Sequence, residues 1–230
     1  MSGLLPLALG AAASDILASY ASPVTALGGA GLSAVVAKLL RKRLETAREI
    51  LLEELRKGEK SLHDLEEVDE LAAITFRYAR AAQEGTARLN LRLMAKVIAG
   101  QAQAGPLVAD EFLAWADVLA SLRREEVIFI ATLFSAERDT QQVRASSAGA
   151  EKLWEKVSQQ LIPSIFPDEG WMRASACAAM RTGLVVDEPM FDGNGYFKVS
   201  PLMDKLQALA PFQEALHEED NGIGEDHVHL

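Results

Sequence analysis

One cysteine, no histidine cluster and no catalytic signature are what this sequence lacks, and each absence narrows what the chain can be. Cys177 is the single cysteine among 230 residues, so no intrachain disulfide forms and packing must hold the fold. It stands in the small-residue run Ala174-Ser175-Ala176-Cys177-Ala178-Ala179, which predicts a buried structural thiol. A nucleophile would want a histidine or a basic pocket beside it, and neither adjoins it in sequence. A lone thiol fits a reducing compartment, so a cytoplasmic location is expected. His63 has no ligand partner near it, and His227 and His229 stand at the terminus with Asp226. Asp192-Gly193-Asn194-Gly195 opens like a calcium loop. Phe197, however, sits where an EF-hand needs glycine and Met203 where it needs its bidentate glutamate. It reads as a hairpin turn. No catalytic residue, metal or cofactor is assigned, and a non-enzymatic protein is expected.

Charge is scarce at one end and lopsided at the other. Hydrophobic residues make up 49 % and charged residues 24 %, ordinary values for a globular chain. The net charge of −10 is uneven. Met1–Ala37 carries only Asp15, Lys38–Gln101 has thirteen basic and eleven acidic residues, and Asp168–Leu230 has four basic and twelve acidic. The basic charge therefore sits in the long helices.

Ile16–Ala37 is a charge-free run of 22 residues, long enough to span a bilayer. Pro23, Gly28, Gly29, Gly31 and several serines offset its few large aliphatics, and the basic start of a secretory signal is missing. The spacing predicts two small-residue helices, roughly 3–20 and 25–57, broken at Ser22-Pro23. Ser22, Ala26, Ala30 and Ala34 recur every four residues with Gly29 and Ser33 alongside. Such a stripe lets another helix approach closely. Self-association through Ser22, Ala26, Gly29, Ala30, Ser33 and Ala34 is the expectation. Its alternative is a membrane-active segment, residues 16–40, anchored by Arg41-Lys42-Arg43.

At the centre, Leu65–Gln101 reads as one amphipathic helix at about 100° per residue. Leu71, Ala82, Leu89, Leu93 and Val97 share one side, while Arg77, Arg80, Arg88, Arg92 and Lys96 share the other. That second side could meet an anionic partner, including nucleic acid, although a charged helix face is more often simply solvated. Gly85 is out of place, since glycine inside a helix costs about 1 kcal/mol relative to alanine. Further helices are expected from Asp110, from Ser121–Glu126 onward and over Glu151–Ile162, with a loop at Gly100–Pro106 and a linker at Arg138–Gly149.

In the last quarter, a helix over Trp171–Thr182, strands at Leu184–Val186 and Tyr196–Val199 and a Pro201-led helix read like a winged-helix element. With twelve acids to four bases, it cannot draw binding energy from a phosphate backbone. The fold class expected is mainly α: a multi-helix bundle with a small C-terminal winged-helix-like element containing one β-hairpin. Four segments follow: an N-terminal helical hairpin (1–60), a central bundle (61–166), the winged-helix-like element (167–212) and an acidic flexible tail (213–230).

The run Leu91–Gly100 followed by Leu119–Val127 (LASLRREEV) resembles the Abi-alpha type of bacterial abortive-infection protein, as does a C-terminal strand-turn-strand at Gly183–Val199. The long Gly/Ala-rich N-terminus and the acidic end depart from that pattern. The resemblance implies a phage-defence role without an enzymatic activity. The function expected is thus a helical interaction or regulatory protein that forms a homo-oligomer or binds a protein partner, with membrane contact possible through its N-terminus and nucleic acid disfavoured.

Overall fold

The computed structural model describes residues 7–21, 32–57, 61–62, 65–139, 147–189 and 195–226. The architecture is mainly helical. In chain order it comprises β1 (Leu7–Ala8), α1 (Leu9–Ala21), α2 (Leu32–Arg56), β2 (Ser61–Leu62), α3 (Leu65–Glu84), α4 (Arg88–Ala104) and α5 (Ala109–Ser121). There follow α6 (Arg124–Asp139), α7 (Ser147–Leu161), α8 (Glu169–Ala179), β3 (Val185–Pro189), β4 (Gly195–Val199), α9 (Pro201–Leu209) and α10 (Phe212–Asp226). β1 and β2 form a two-residue antiparallel pair, and β3 and β4 a longer hairpin running from Val185↔Val199 to Pro189↔Gly195. The chain divides into two compact units. One comprises Met1–Ser121, Leu209–Pro211 and His217–Leu230; the other comprises Leu122–Ala208 and Phe212–Leu216.

In the first unit, α2 buries Leu44, Ala47, Ile50, Leu51 and Leu55, the three-and-four spacing of a core-facing helix. α1 lies antiparallel to it, with Arg48 donating to Ser14 Oγ and Gly10 facing Leu52. α3 contributes Leu71, Ile74 and Tyr78. The Tyr78 hydroxyl donates to the Ala47 carbonyl at 2.9 Å, and burial pushes its ionisation far up. On α5, Phe112 and Trp115 are buried, and the helix start is capped from α3, where Glu70 accepts from the Ala109 N–H.

The single helix expected over Leu65–Gln101 is two helices. Gly85 takes φ +90°, where only glycine is unstrained. The Gly85 and Thr86 N–H groups return to the Ala82 and Ala81 carbonyls, each at 3.1 Å. This is the paired closure of a Schellman end. Arg43 of α2 completes it by donating to the Gln83 carbonyl at 3.0 Å, a cation at a helix C-terminus. After this break α4 starts in a new phase and becomes the central helix of the unit: every residue from Leu89 to Ala99 is buried. α4 also runs through the expected loop at Gly100. A Cβ there would stand 2.6 Å from the Leu209 carbonyl oxygen, so glycine is needed for close approach rather than for a turn.

In the second unit α6 is central, burying Val127, Phe129, Ile130 and Leu133. It begins where Glu126 accepts from the Arg123 N–H at 2.8 Å. The Trp154 ring of α7 packs on Phe129 and Phe197, and its Nε1 donates to Glu169 at 2.8 Å. α8 starts with Asp168 accepting from the Trp171 N–H at 3.0 Å, and the turn after it closes at Gly183, φ +72°. The buried Glu137 carboxylate accepts from the Val199 N–H at 2.7 Å, fixing β4 to α6.

Two further expectations change. Cys177 is exposed, because Met172, Ala176 and Ala179 are the residues of α8 that face the core and Cys177 is turned away from Ala176 by one helical step. The acidic stretch expected as a flexible tail is helical through Asp226.

Candidate functional site

Two features of the first unit are open to an interaction. The first is the outward face of α2. Val35, Lys38, Leu39, Lys42, Glu45, Glu49 and Glu53 recur at three- and four-residue steps and are all exposed. Val35 is 66 % exposed and Leu39 48 %, high values for aliphatic residues inside a 25-residue helix. Along these seven residues both lysines fall in the first half and the three glutamates in the second, with Arg56 exposed at the far end of the helix.

The second is a buried ion cluster between α2, α4 and the end of α10. Glu54 (α2) and Glu218 (α10) are bridged by three cations. Lys57 Nζ lies 2.8 Å from Glu54 and 2.6 Å from Glu218, Lys96 Nζ 3.3 and 3.1 Å, and Arg92 Nη1 3.1 and 3.4 Å. Arg92 also pairs with Glu53 at 3.1 Å, and Glu219 stands 3.5 Å from Arg88 and 3.8 Å from Arg92. The Arg92 side chain is only 3 % exposed and that of Lys96 4 %. Burial works against ionisation of Glu218, but hydrogen bonds from Lys57 and Lys96 outweigh it and hold its pKa down to about 2. Burial likewise opposes the charge on Arg92, and Glu53 with its neighbours overcomes it and raises the pKa. Glu218 and Arg92 therefore stay ionised at neutral pH.

These positions redistribute the residues singled out in the sequence. Arg77, Arg80, Arg88, Arg92 and Lys96 do not form one outward face, because the break at Gly85 resets the helical phase. Arg77 pairs with Asp117 at 2.8 Å and Arg80 with Glu84 at 2.8 Å, whereas Arg92 and Lys96 point inward. Ser22, Ala26, Gly29 and Ala30 lie outside the described residues; Ser33 and Ala34 belong to α2, with their side chains outside that description. His63, His227, His229 and Asp192–Asn194 also lie outside it. Within residues 16–40, α1 ends at Ala21 and α2 starts at Leu32. Among the described residues no helix is long and apolar enough to cross a membrane, and no group of three metal-ligating side chains occurs. The sequence reading missed Glu54, Glu218 and Glu219. The one signal for them was Arg88, Arg92 and Lys96 at four-residue steps, a stripe that needs acids opposite it once it is buried.

No protein-family model, curated protein or solved structure matches this chain.

Proposed function

We propose that this chain is a non-enzymatic helical interaction protein that pairs with a second copy of itself along the outward face of α2. The order of exposed charge on that face carries the reading. Two α2 helices laid antiparallel about a point between Arg43 and Leu44 set Lys42 against Glu45 and Lys38 against Glu49, and symmetry repeats both pairs. A parallel pairing would set lysine against lysine and glutamate against glutamate. Surface ion pairs contribute only about 0.2–1 kcal/mol each, so they choose the orientation. Val35 and Leu39 of each copy supply the attraction, about 1.5–3 kcal/mol per side chain if fully covered. Association itself costs at least about 4 kcal/mol, which makes the pair weak and concentration-dependent.

Sedimentation of the full chain over a range of concentrations tests this. Wild type should show a reversible dimer. K38E/K42E alone and E45K/E49K alone should each be monomeric, and an equimolar mixture of the two should pair. A wild type that stays monomeric throughout, or variants that pair as wild type does, would remove the reading. Val35, Val36 and Leu39 with Lys38, Arg41 and Lys42 also have the composition of a helix that lies on an anionic bilayer. Flotation of a monomeric wild type with anionic vesicles would replace the second copy with lipid.

A further inference from the structure

We infer that α8 carries a second self-complementary face, on which Trp171 of one copy seats over Ala178 of another in an antiparallel, two-fold contact. α8 turns Met172, Ala176 and Ala179 to the core and leaves Gly170, Trp171, Ala174, Cys177 and Ala178 exposed. A helix face turned to water normally carries charge, and these five positions carry none. Arg173, the one charged residue between them in sequence, is half-buried, lies over the Trp154 ring and pairs with Glu169. Trp171 is 65 % exposed, and tryptophan is among the side chains that gain most from being covered.

Register identifies the occupant as a second copy. A two-fold axis between Ala174 and Ser175 sets Trp171 against Ala178, bulky on small, and symmetry repeats the pair. Trp171 and Ala178 also share one edge of the face, about 20° apart around the helix, and the two-fold keeps that edge on one side. The same axis sets Asp168 against Arg181, acid on base. Shape and charge therefore select one register independently. Asp168 is exposed. Arg181 is anchored by the buried carboxylate of Glu126 and keeps 42 % of its side chain in solvent, so the cation of that pair faces outward. A parallel pairing would oppose Trp171 to Trp171, Asp168 to Asp168 and Arg181 to Arg181. Ala174, in the middle of the face, lets the two backbones approach closely. One 11-residue helix is a small contact beside a stable interface, so the pair is weak and concentration-dependent. None of this requires pairing through α2.

Cys177, exposed on the same face and the single cysteine of the chain, serves as the reporter. In this register the two Cys177 positions lie about 7.5 Å apart along the helix axes, within reach of a short bismaleimide. The test uses the full chain carrying K38E/K42E, so that pairing through α2 does not contribute, and reads the yield of cross-linked dimer. Trp171→Ala removes the bulky partner and Ala178→Trp sets bulk against bulk; each should lower the yield at least about fivefold. W171A/A178W exchanges the two partners and should restore the yield. A yield no higher than that of Trp171→Ala would overturn the inference and leave the face to a different protein. A double variant as low as either single one would overturn it too. Should Ala178→Trp not fold, the comparison with Trp171→Ala decides alone.

Discussion

The outward face of α2 and the inward stripe of α4 use the same ingredients, lysines, an arginine or two and glutamates at helical spacing, to opposite ends. On α2, Lys38, Lys42, Glu45 and Glu49 all stand in solvent. On α4, Arg92 and Lys96 are enclosed by Glu54, Glu218 and Glu219. Composition does not separate the two, but helical phase does. The α2 charges fall on the side away from Leu44, Ala47 and Leu51, whereas α4 has neighbours on every side, so any charge it carries must bring its counter-charge inside. A solvated charge is replaceable and an enclosed one is not.

That contrast can be broken most sharply at Arg92. Arg92→Met takes one of three cations from Glu54 and one of two from Glu219 and should cost about 3 kcal/mol in urea denaturation, while Lys38→Met should stay within about 0.5 kcal/mol. Similar losses at both sites would erase the distinction. Next comes the turn that sets the phase of α4. Gly85→Ala forces a side chain into φ +90° and against the Arg43 guanidinium at 3.2 Å, and should cost about 1–3 kcal/mol by the same measurement.

Acid should then act on the cluster. Glu218 has a folded-state pKa held below its ordinary value of 4.5, at about 2. Its contribution is complete above about pH 4.5 and is lost as pH falls toward 2. Among the described residues the charged groups around it include Glu53 and Glu54 of α2, Lys57 just after α2, Arg88, Arg92 and Lys96 of α4, and Glu219 beside it. Stability measured from pH 5 downward should fall more steeply in wild type than in Glu218→Gln. The smallest effect on folding is expected from K38E/K42E, whose unfolding free energy should stay within about 0.5 kcal/mol of wild type when both are monomeric. A larger change would mean that the α2 face takes part in the fold.

Most of the helical architecture could be read from the sequence, because it follows from local chemistry. Leu44, Ala47, Leu51 and Leu55 mark α2, Pro201 starts α9 and Gly183 closes the turn before the hairpin. The failures share a cause of a different kind. Gly85 looks like a tolerated defect until Arg43, 42 positions earlier in the chain, is found capping the helix it ends. Gly100 looks like a loop residue until the Leu209 carbonyl is placed against it. The end of α10 reads as a solvated tail because nothing in HEEDN is apolar; what orders it is a counter-charge from α2 and α4. Cys177 was misplaced by composition, since a run of alanines does not say which of its neighbours faces inward.

The tryptophans give this molecule a built-in spectroscopic division. Trp115 lies in the first unit, Trp154 in the second between Phe129 and Phe197, and Trp171 is 65 % exposed. With Trp171→Phe removing the solvent-facing emitter, one indole remains enclosed in each unit. Emission from Trp171→Phe carrying a second change, Trp115→Phe or Trp154→Phe, would then record the melting of each half by its own colour shift. Two curves that separate under acid would show which half the charge cluster governs.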